Sequence, residues 1–368
     1  MDSIYFFSNS VFPSNTANSI SVINTCNALA KETKVYMSGI RSKNNSVKDI
    51  RTFYQYDNAI NLRLLKPIFK KGSLQLLALL DLVRILIIKP NAVYGRSIFT
   101  AQLLALVGYP FYFECHDAKW LVSSTHARRY KRVFHAQSLK GLAVVSNNLG
   151  KMALDAFPSL IEKNITVIRN GASYTSYLPK DESNNIFTLG YLGGFYAGRG
   201  LDVVVELAAT LPNTNFKLAG GTSSQLKEVL CLKSLPSNIT CLGYLAPGTT
   251  EKFRSSVDAL IAPYQDETTS KGGTNTSSYM SPVKIFEYMS SGTPIISSNL
   301  LAIREVLNEE SALLVSPRDI EQWVEAINRL VFDKDLGKRL SKKAYKYFVE
   351  NLTWEKRAHK ILRFSKSV

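Results

Sequence analysis

Ser281-Pro282-Val283-Lys284-Ile285-Phe286-Glu287-Tyr288-Met289-Ser290-Ser291-Gly292-Thr293-Pro294 reads as a short helix written out with both of its ends. Ser281 is an N-cap residue type, and Pro282 follows where a missing N–H costs nothing. Gly292 supplies the stop, and Pro294 prevents the helix from running on into the next apolar stretch. Lys284 and Glu287 stand three apart and share the face near the helix start. Apolar runs at 259–262 and 294–297 flank the segment, which makes it a crossover between two strands. A cation and a carboxylate at the open end of such a helix suit a ribosyl diphosphate. The carboxylate accepts from ribose hydroxyls, while the cation and backbone N–H groups take phosphate oxygens. The competing reading is an ordinary packing helix with a surface ion pair.

Outward from this segment the same grammar repeats. Strand patterns fall at 4–7, 34–37, 92–94, 111–114, 142–145 and 166–168, then at 187–192, 215–218, 239–241, 259–262, 294–297 and 312–315. Helical patterns such as 19–31, 201–211 and 321–332 lie between them. Strands alternating with helices imply parallel sheets covered on both faces. Two such sets in succession predict two Rossmann-like domains, 1–180 and 181–345, with 346–368 a helix crossing back to the first. The polar stretch 179–185 is the expected seam. Ligands of open parallel sheets bind beyond the carboxyl ends of the strands, so two facing sheets would form a central cleft with one reactant on each wall.

A second signal is Gly190-Tyr191-Leu192-Gly193-Gly194-Phe195-Tyr196-Ala197-Gly198-Arg199-Gly200-Leu201-Asp202. A strand ends in a glycine pair that lets backbone approach a ligand closely, and a helix starts near Gly200. A tight β–α turn is the plainer reading. The Ser/Thr/Gly-rich loop 265–280 leads into the Lys284 segment and is expected to be a mobile cover over the ligand bound there or an idle insertion.

Composition narrows the class. The chain has 368 residues, 45% hydrophobic and 20% charged, which suits two packed domains. Its four cysteines are scattered, so a reduced, cytosolic chain without a disulfide framework is expected. No secretory signal is read at the N-terminus, and the most apolar window, 74–88, is interrupted by Asp81 and Arg84 and too short to cross a bilayer. The net charge of +16 is unevenly divided: residues 1–180 hold 23 Lys/Arg against 9 Asp/Glu, and residues 181–368 hold 22 against 20. A basic first half attracts phosphate-rich partners, whether nucleic acid, anionic lipid or a lipid diphosphate.

The 281–294 segment resembles the donor-site signature of family 4 glycosyltransferases, in the branch with a Ser-Pro-x-Lys-x-Phe-Glu-Tyr-Met pattern. The resemblance spans about residues 3–350 and implies a GT-B fold. Glu287 is then expected to bind the nucleotide ribose. The family's first glutamate, usually on the transferred sugar, is replaced by Tyr279. The 190–202 turn resembles the family's diphosphate loop, where Arg199-Gly200 stands in place of Lys-Gly and the other basic residue gives way to Gly193 and Gly194. The resemblance therefore assigns Gly193, Gly194, Arg199, Lys284, Glu287 and Tyr279 to the donor. Ser14, Asn15, Asn18 and Ser19, after the first strand, are expected near donor and acceptor. His116-Asp117 at a strand end is expected near the sugar, and Asn170-Gly171-Ala172 looks like the turn before the interdomain linker. Arg199, Lys284 and His116 are the expected catalytic residues.

What the resemblance implies for the chemistry is retention of anomeric configuration on a nucleotide-sugar donor, with UDP slightly ahead of GDP though no residue decides it. A metal-free, cofactor-free reaction is expected from the reading that no Asp-x-Asp of the metal-diphosphate kind stands in the chain. The acceptor, a saccharide or lipid-linked saccharide, is expected on the basic first domain. Arg63, Lys66, Lys70 and Lys71, interleaved with apolar residues, and Arg128, Arg129, Lys131 and Arg132 are expected to meet an anionic membrane at its cytoplasmic face. No nucleic-acid module is recognised. An epimerase or hydrolase on the same scaffold, and a non-catalytic nucleotide-sugar binder, are the alternatives.

Overall fold

The computed structural model describes residues 2–42, 47–67, 72–174, 186–196, 198–267 and 275–366. The chain divides into two compact units, one made of Met1–Gly171 with Trp354–Val368 and the other of Ala172–Thr353. The division falls between Gly171 and Ala172, and the expected seam at 179–185 lies outside the described residues. The chain rejoins the first unit at Trp354, because the helix Lys334–Asn351 packs within the second.

The first unit holds β1 (Ser3–Phe7), β2 (Val11–Phe12), β3 (Lys34–Arg41), β4 (Ile60–Leu65), β5 (Ala92–Gly95), β6 (Phe111–Cys115), β7 (Leu139–Val144) and β8 (Asn164–Val167). All pairings are parallel, in the order β3-β1-β5-β6-β7-β8, with β2 and β4 also pairing β3. The second unit holds β9 (Thr188–Leu192), β10 (Asn215–Ala219), β11 (Ile239–Cys241), β12 (Ala259–Ala262), β13 (Ile295–Ser298) and β14 (Leu313–Val315). These too are parallel, in the order β11-β10-β9-β12-β13-β14. In each sheet the strand order reverses once, between β1 and β5 and between β9 and β12. Those two points are where open α/β sheets bind ligands.

The twelve strands read from periodicity are all present, and β2 and β4 were not read. β4 corrects the membrane reading of Arg63. Residues 60–65 pair along β3 from Val35 to Ile40, Leu65 is buried, and Leu62 and Leu64 pack on the core. The leucines on either side of Arg63 therefore serve the core, and Arg63 lies over the Tyr36 ring; Ile68 and Phe69 lie outside the described residues. Lys70 and Lys71 lie outside the described residues.

The apolar window becomes the helix Ser73–Ile88, and its Asp81 is fully buried. Asp81 accepts from the hydroxyls of Tyr5 (2.9 Å), Ser38 (3.0 Å) and Thr100 (3.0 Å), so its cost of burial is met by three donors. Among the described residues no helix is long and apolar enough to cross a membrane.

The return helix Trp354–Phe364 packs beside Ala17–Leu29 and delivers Arg357 to the centre of the first unit. There Glu114, at the end of β6, is gripped by Arg357 (2.6 Å) and Arg96 and accepts from the Tyr94 hydroxyl at 2.6 Å. Arg357 also donates to the carbonyls of Ile168 and Arg169. Burial alone would push the Glu114 carboxyl up, but the two guanidinium groups hold it down at about 2.

Candidate functional site

The switch point of the second sheet collects the residues that sequence reasoning singled out. β9 and β12 stay paired only through Leu189–Ala259 and Gly190–Leu260, then part. Tyr288 spans the gap: its hydroxyl accepts from the Leu192 N–H (2.9 Å) and lies 3.4 Å from the Leu192 and Ile261 carbonyls, to which it can donate. The helix Val283–Ser290 is thereby pinned to the mouth of the sheet. Its start differs from expectation. Pro282, not Ser281, is the N-cap, and the Val283 N–H donates to the Ser281 carbonyl at 3.0 Å. Its end is as read, with Gly292 in the left-handed region (φ 66°).

Lys284 makes no ion pair with Glu287, so the surface-pair reading fails. Its ammonium lies over the Tyr191 ring at 4.1 Å and the Tyr264 ring at 5.1 Å, and the Arg199 guanidinium lies over Tyr264 at 5.8 Å. Two cations thus share one aromatic support. Burial and the neighbouring Arg199 push the Lys284 ammonium down to about 7, while Glu287 acts in the opposite sense. Glu287 itself is pushed up by burial against the opposing pull of Arg254 and Lys284. Among the described residues none donates a hydrogen bond to its carboxylate, which leaves both oxygens available to a ligand.

The glycines make room for this arrangement. A Cβ on Gly193 would sit 2.7 Å from the Lys284 Nζ, and one on Gly200 would sit 1.7 Å from the Pro263 carbonyl oxygen. Gly200 (φ 71°) therefore lets the helix Leu201–Thr210 start hard against the end of β12, with its N-terminal amides at the switch point. Gly193→Ala should fold, because its clash is with the far end of a flexible side chain. It should weaken binding of a diphosphate at this site by about tenfold, the loss of roughly one charged hydrogen bond, read by calorimetric titration.

Tyr279, assigned to the donor site at the position of the family's first glutamate, is 2% exposed and offers a ligand almost no surface. The 265–280 loop is tied at its base, where the Asp266 carbonyl accepts from Asn275 Nδ2 and Ser277 Oγ, each at 2.7 Å. Residues 268–274 lie outside the described ones. Tyr191, Tyr264, Tyr288 and Arg254 were missed as parts of the site. Tyr191 and Tyr288 stood inside the two motifs, and only their spatial convergence on Lys284 and Leu192 gives them a role.

At the switch point of the first sheet the expected residues separate. Thr16 caps the helix Ala17–Leu29. Ser19 is buried and donates to the Val11 carbonyl at 2.9 Å. Asn18 donates to Ser10 Oγ (2.9 Å) and accepts from Arg96 (2.7 Å), so its amide is spent on the loop. The Ser14 N–H and carbonyl are both bonded to the Tyr54 hydroxyl, and Asn15 stays exposed. His116 follows β6 with its Nε2 3.5 Å from Asp117, whose carboxylate also holds Lys119 (2.7 Å) and accepts from Tyr130 (3.0 Å). Burial lowers the His116 imidazole against the pull of Asp117, with Arg96 and Lys119 adding to the lowering, so the ring is neutral at neutral pH. It suits hydrogen bonding to a neutral polar group rather than service as a cation.

The expectation that the chain lacks an Asp-x-Asp triplet is corrected by Asp333-Lys334-Asp335. Asp333 caps the helix Lys334–Asn351 by accepting from the Leu336 N–H at 2.8 Å. Among the described residues no three His, Cys, Asp or Glu side chains converge as metal ligands would.

Solved structures share this fold along the whole chain. A glycosyltransferase from Rickettsia africae is 16% identical over 99% of this chain and 98% of its own, with a TM-score of 0.76. Sucrose-phosphate synthase from Thermosynechococcus elongatus is 16% identical over 100% and 98%, with a TM-score of 0.74. Anabaena HepE in complex with UDP and glucose is 15% identical over all of both chains, with a TM-score of 0.72. At these identities the likeness shows the fold, two Rossmann-like domains of the GT-B type. The family model "Glycosyl transferases group 1" matches residues 186–333, a span that takes in the glycine turn, Arg199, Lys284 and Glu287. A search of curated proteins returned no significant match.

Proposed function

We propose that this protein is a retaining, metal-independent glycosyltransferase. It moves a hexose-type sugar from a nucleotide sugar, UDP ahead of GDP, to a glycan or lipid-linked saccharide in cell-surface polysaccharide synthesis. The observation that carries the reading is the meeting of Lys284, Arg199 and Glu287 at the switch point of the second sheet, inside the segment that matches the group 1 family. Breaking the sugar–phosphate bond builds negative charge on the diphosphate. Two preorganised cations and the amides of a helix start stabilise that charge. Glu287 takes the ribose hydroxyls, and a leaving phosphate oxygen accepts the acceptor's proton on the same face, which gives retention. His116 orients a sugar hydroxyl as a neutral partner.

The basic first half, with Arg128, Arg129, Lys131 and Arg132, supports attachment to the anionic cytoplasmic face of a membrane. Purified protein given UDP- and GDP-hexoses should form a product in which the donor's anomeric configuration is kept, only when a saccharide acceptor is present, and undiminished by chelator. Acceptor-independent release of free sugar would contradict this.

The state of Lys284 adds a pH signature. An anionic diphosphate favours the protonated ammonium, so binding should be strongest while Lys284 is charged and should weaken above pH 7. The decline should approach tenfold per pH unit. Lys284→Arg, which stays charged, should flatten it. Calorimetric titration with a UDP-hexose, whose diphosphate does not titrate in this range, reads the effect directly.

A further inference from the structure

Within the first unit, helix Ser73–Ile88 packs beside Ile98–Leu106, and that helix packs beside Ser124–Phe134. Their outer faces form an open surface cavity of about 390 Å³ lined by Gln75, Phe99, Gln102, Thr125, Arg128, Arg129 and Arg132. Every polar group on that wall is able to donate, and no carboxylate lines it. Arg129 lies over the Phe99 ring at 4.6 Å, a cation–π contact that seats its guanidinium on the wall. None of the three arginines has an ion pair or hydrogen-bond partner among the described residues. Lys131, expected to act with them, does not line the cavity.

The same helix faces continue as apolar surface. Leu79, Val83 and Leu86 follow Gln75 at steps of four, four and three, and Leu106 follows Phe99 and Gln102 at steps of seven and four. These spacings place each set on one helix face. All four apolar side chains are exposed, Leu106 to 82%.

We infer that this cavity binds the phosphate of an anionic phospholipid headgroup, with the neighbouring leucines and valine against the acyl region. Planar guanidinium forks match phosphate oxygens two at a time, which a diffuse lysine-rich surface does not do. The two amides and the threonine hydroxyl add neutral donors for the glycerol and ester oxygens. The inference deepens the membrane reading above and rests on it.

The test is flotation of the full chain with phosphatidylcholine vesicles, with and without phosphatidylglycerol. It compares wild type, the triple variant Arg128→Gln/Arg129→Gln/Arg132→Gln, and the equal-charge control Lys140→Gln/Lys151→Gln/Lys163→Gln. The arginine variant should lose on the order of a hundredfold in partition to anionic vesicles, roughly fivefold per residue, and the control only about threefold. Arg→Lys at all three positions should recover only part of the binding. Equal losses in the two triple variants would overturn the pocket and leave the membrane reading standing. No binding by wild type would overturn both. Saturable binding of glycerol 3-phosphate without vesicle binding would make it a soluble-phosphate site and overturn the lipid assignment.

Discussion

Lys284→Ala is expected to lower kcat by on the order of 10²–10³, the usual consequence of removing one preorganised contact to a developing anion. The loss should come with a protein that is no less stable. Lys284 is a partly buried cation whose ammonium is pushed down to about 7, below its ordinary 10.5. Between those values the unfolded chain binds the extra proton, so the contribution of this group to stability is least favourable below pH 7 and improves as pH rises toward 10.5. Removing it relieves that penalty, and the unliganded melting temperature should hold or rise. The gain in melting temperature on adding a UDP-sugar should shrink, because binding stabilises by mass action. Loss of turnover together with a lower unliganded melting temperature would instead make Lys284 a structural residue.

The largest effect on stability is expected at Glu114. Glu114→Gln leaves Arg96 and Arg357 buried beside a neutral amide, and breaking a buried pair in this way costs roughly 3–5 kcal/mol. The wild-type group should leave a matching trace in acid. Its folded value of about 2 lies below the ordinary 4.5, so its contribution is complete above pH 4.5 and is lost as pH falls toward 2. The size of that loss is about 3 kcal/mol. Denaturant unfolding at pH 7 should show a lowered midpoint for Glu114→Gln, and the difference from wild type should narrow between pH 4.5 and 2.5. A variant as stable as wild type at pH 7 would show that the return helix is held by packing alone.

Much of this architecture was legible because apolar periodicity reports burial, and both sheets are buried on their two faces. The exceptions have physical causes. β2 is two residues long, and β4 alternates Asn61 and Arg63 with apolar residues, so half of it reads as a basic surface. In the site, Lys284, Glu287, Arg199 and the glycines were legible because a helix end and a strand end have local signatures. The tyrosines were not, since Tyr264 and Tyr191 come from different strand ends and meet only through the reversal of strand order. Ser19 and Asn18 misled for the opposite reason: polar residues after a strand look available until the loop's own bonds are drawn. The partner of Glu114 in the return helix, Arg357, is 243 residues away and has no local signal at all.

The donor assignment is tested most directly by a crystal structure of the protein with a UDP-hexose bound. The diphosphate is expected within hydrogen-bonding distance of Lys284 Nζ and the Arg199 guanidinium, beside the Gly193–Gly194 backbone, with the ribose hydroxyls on Glu287. A nucleotide bound elsewhere, or bound at this strand reversal while Lys284 stays over Tyr191 and Tyr264 without touching phosphate, would contradict it.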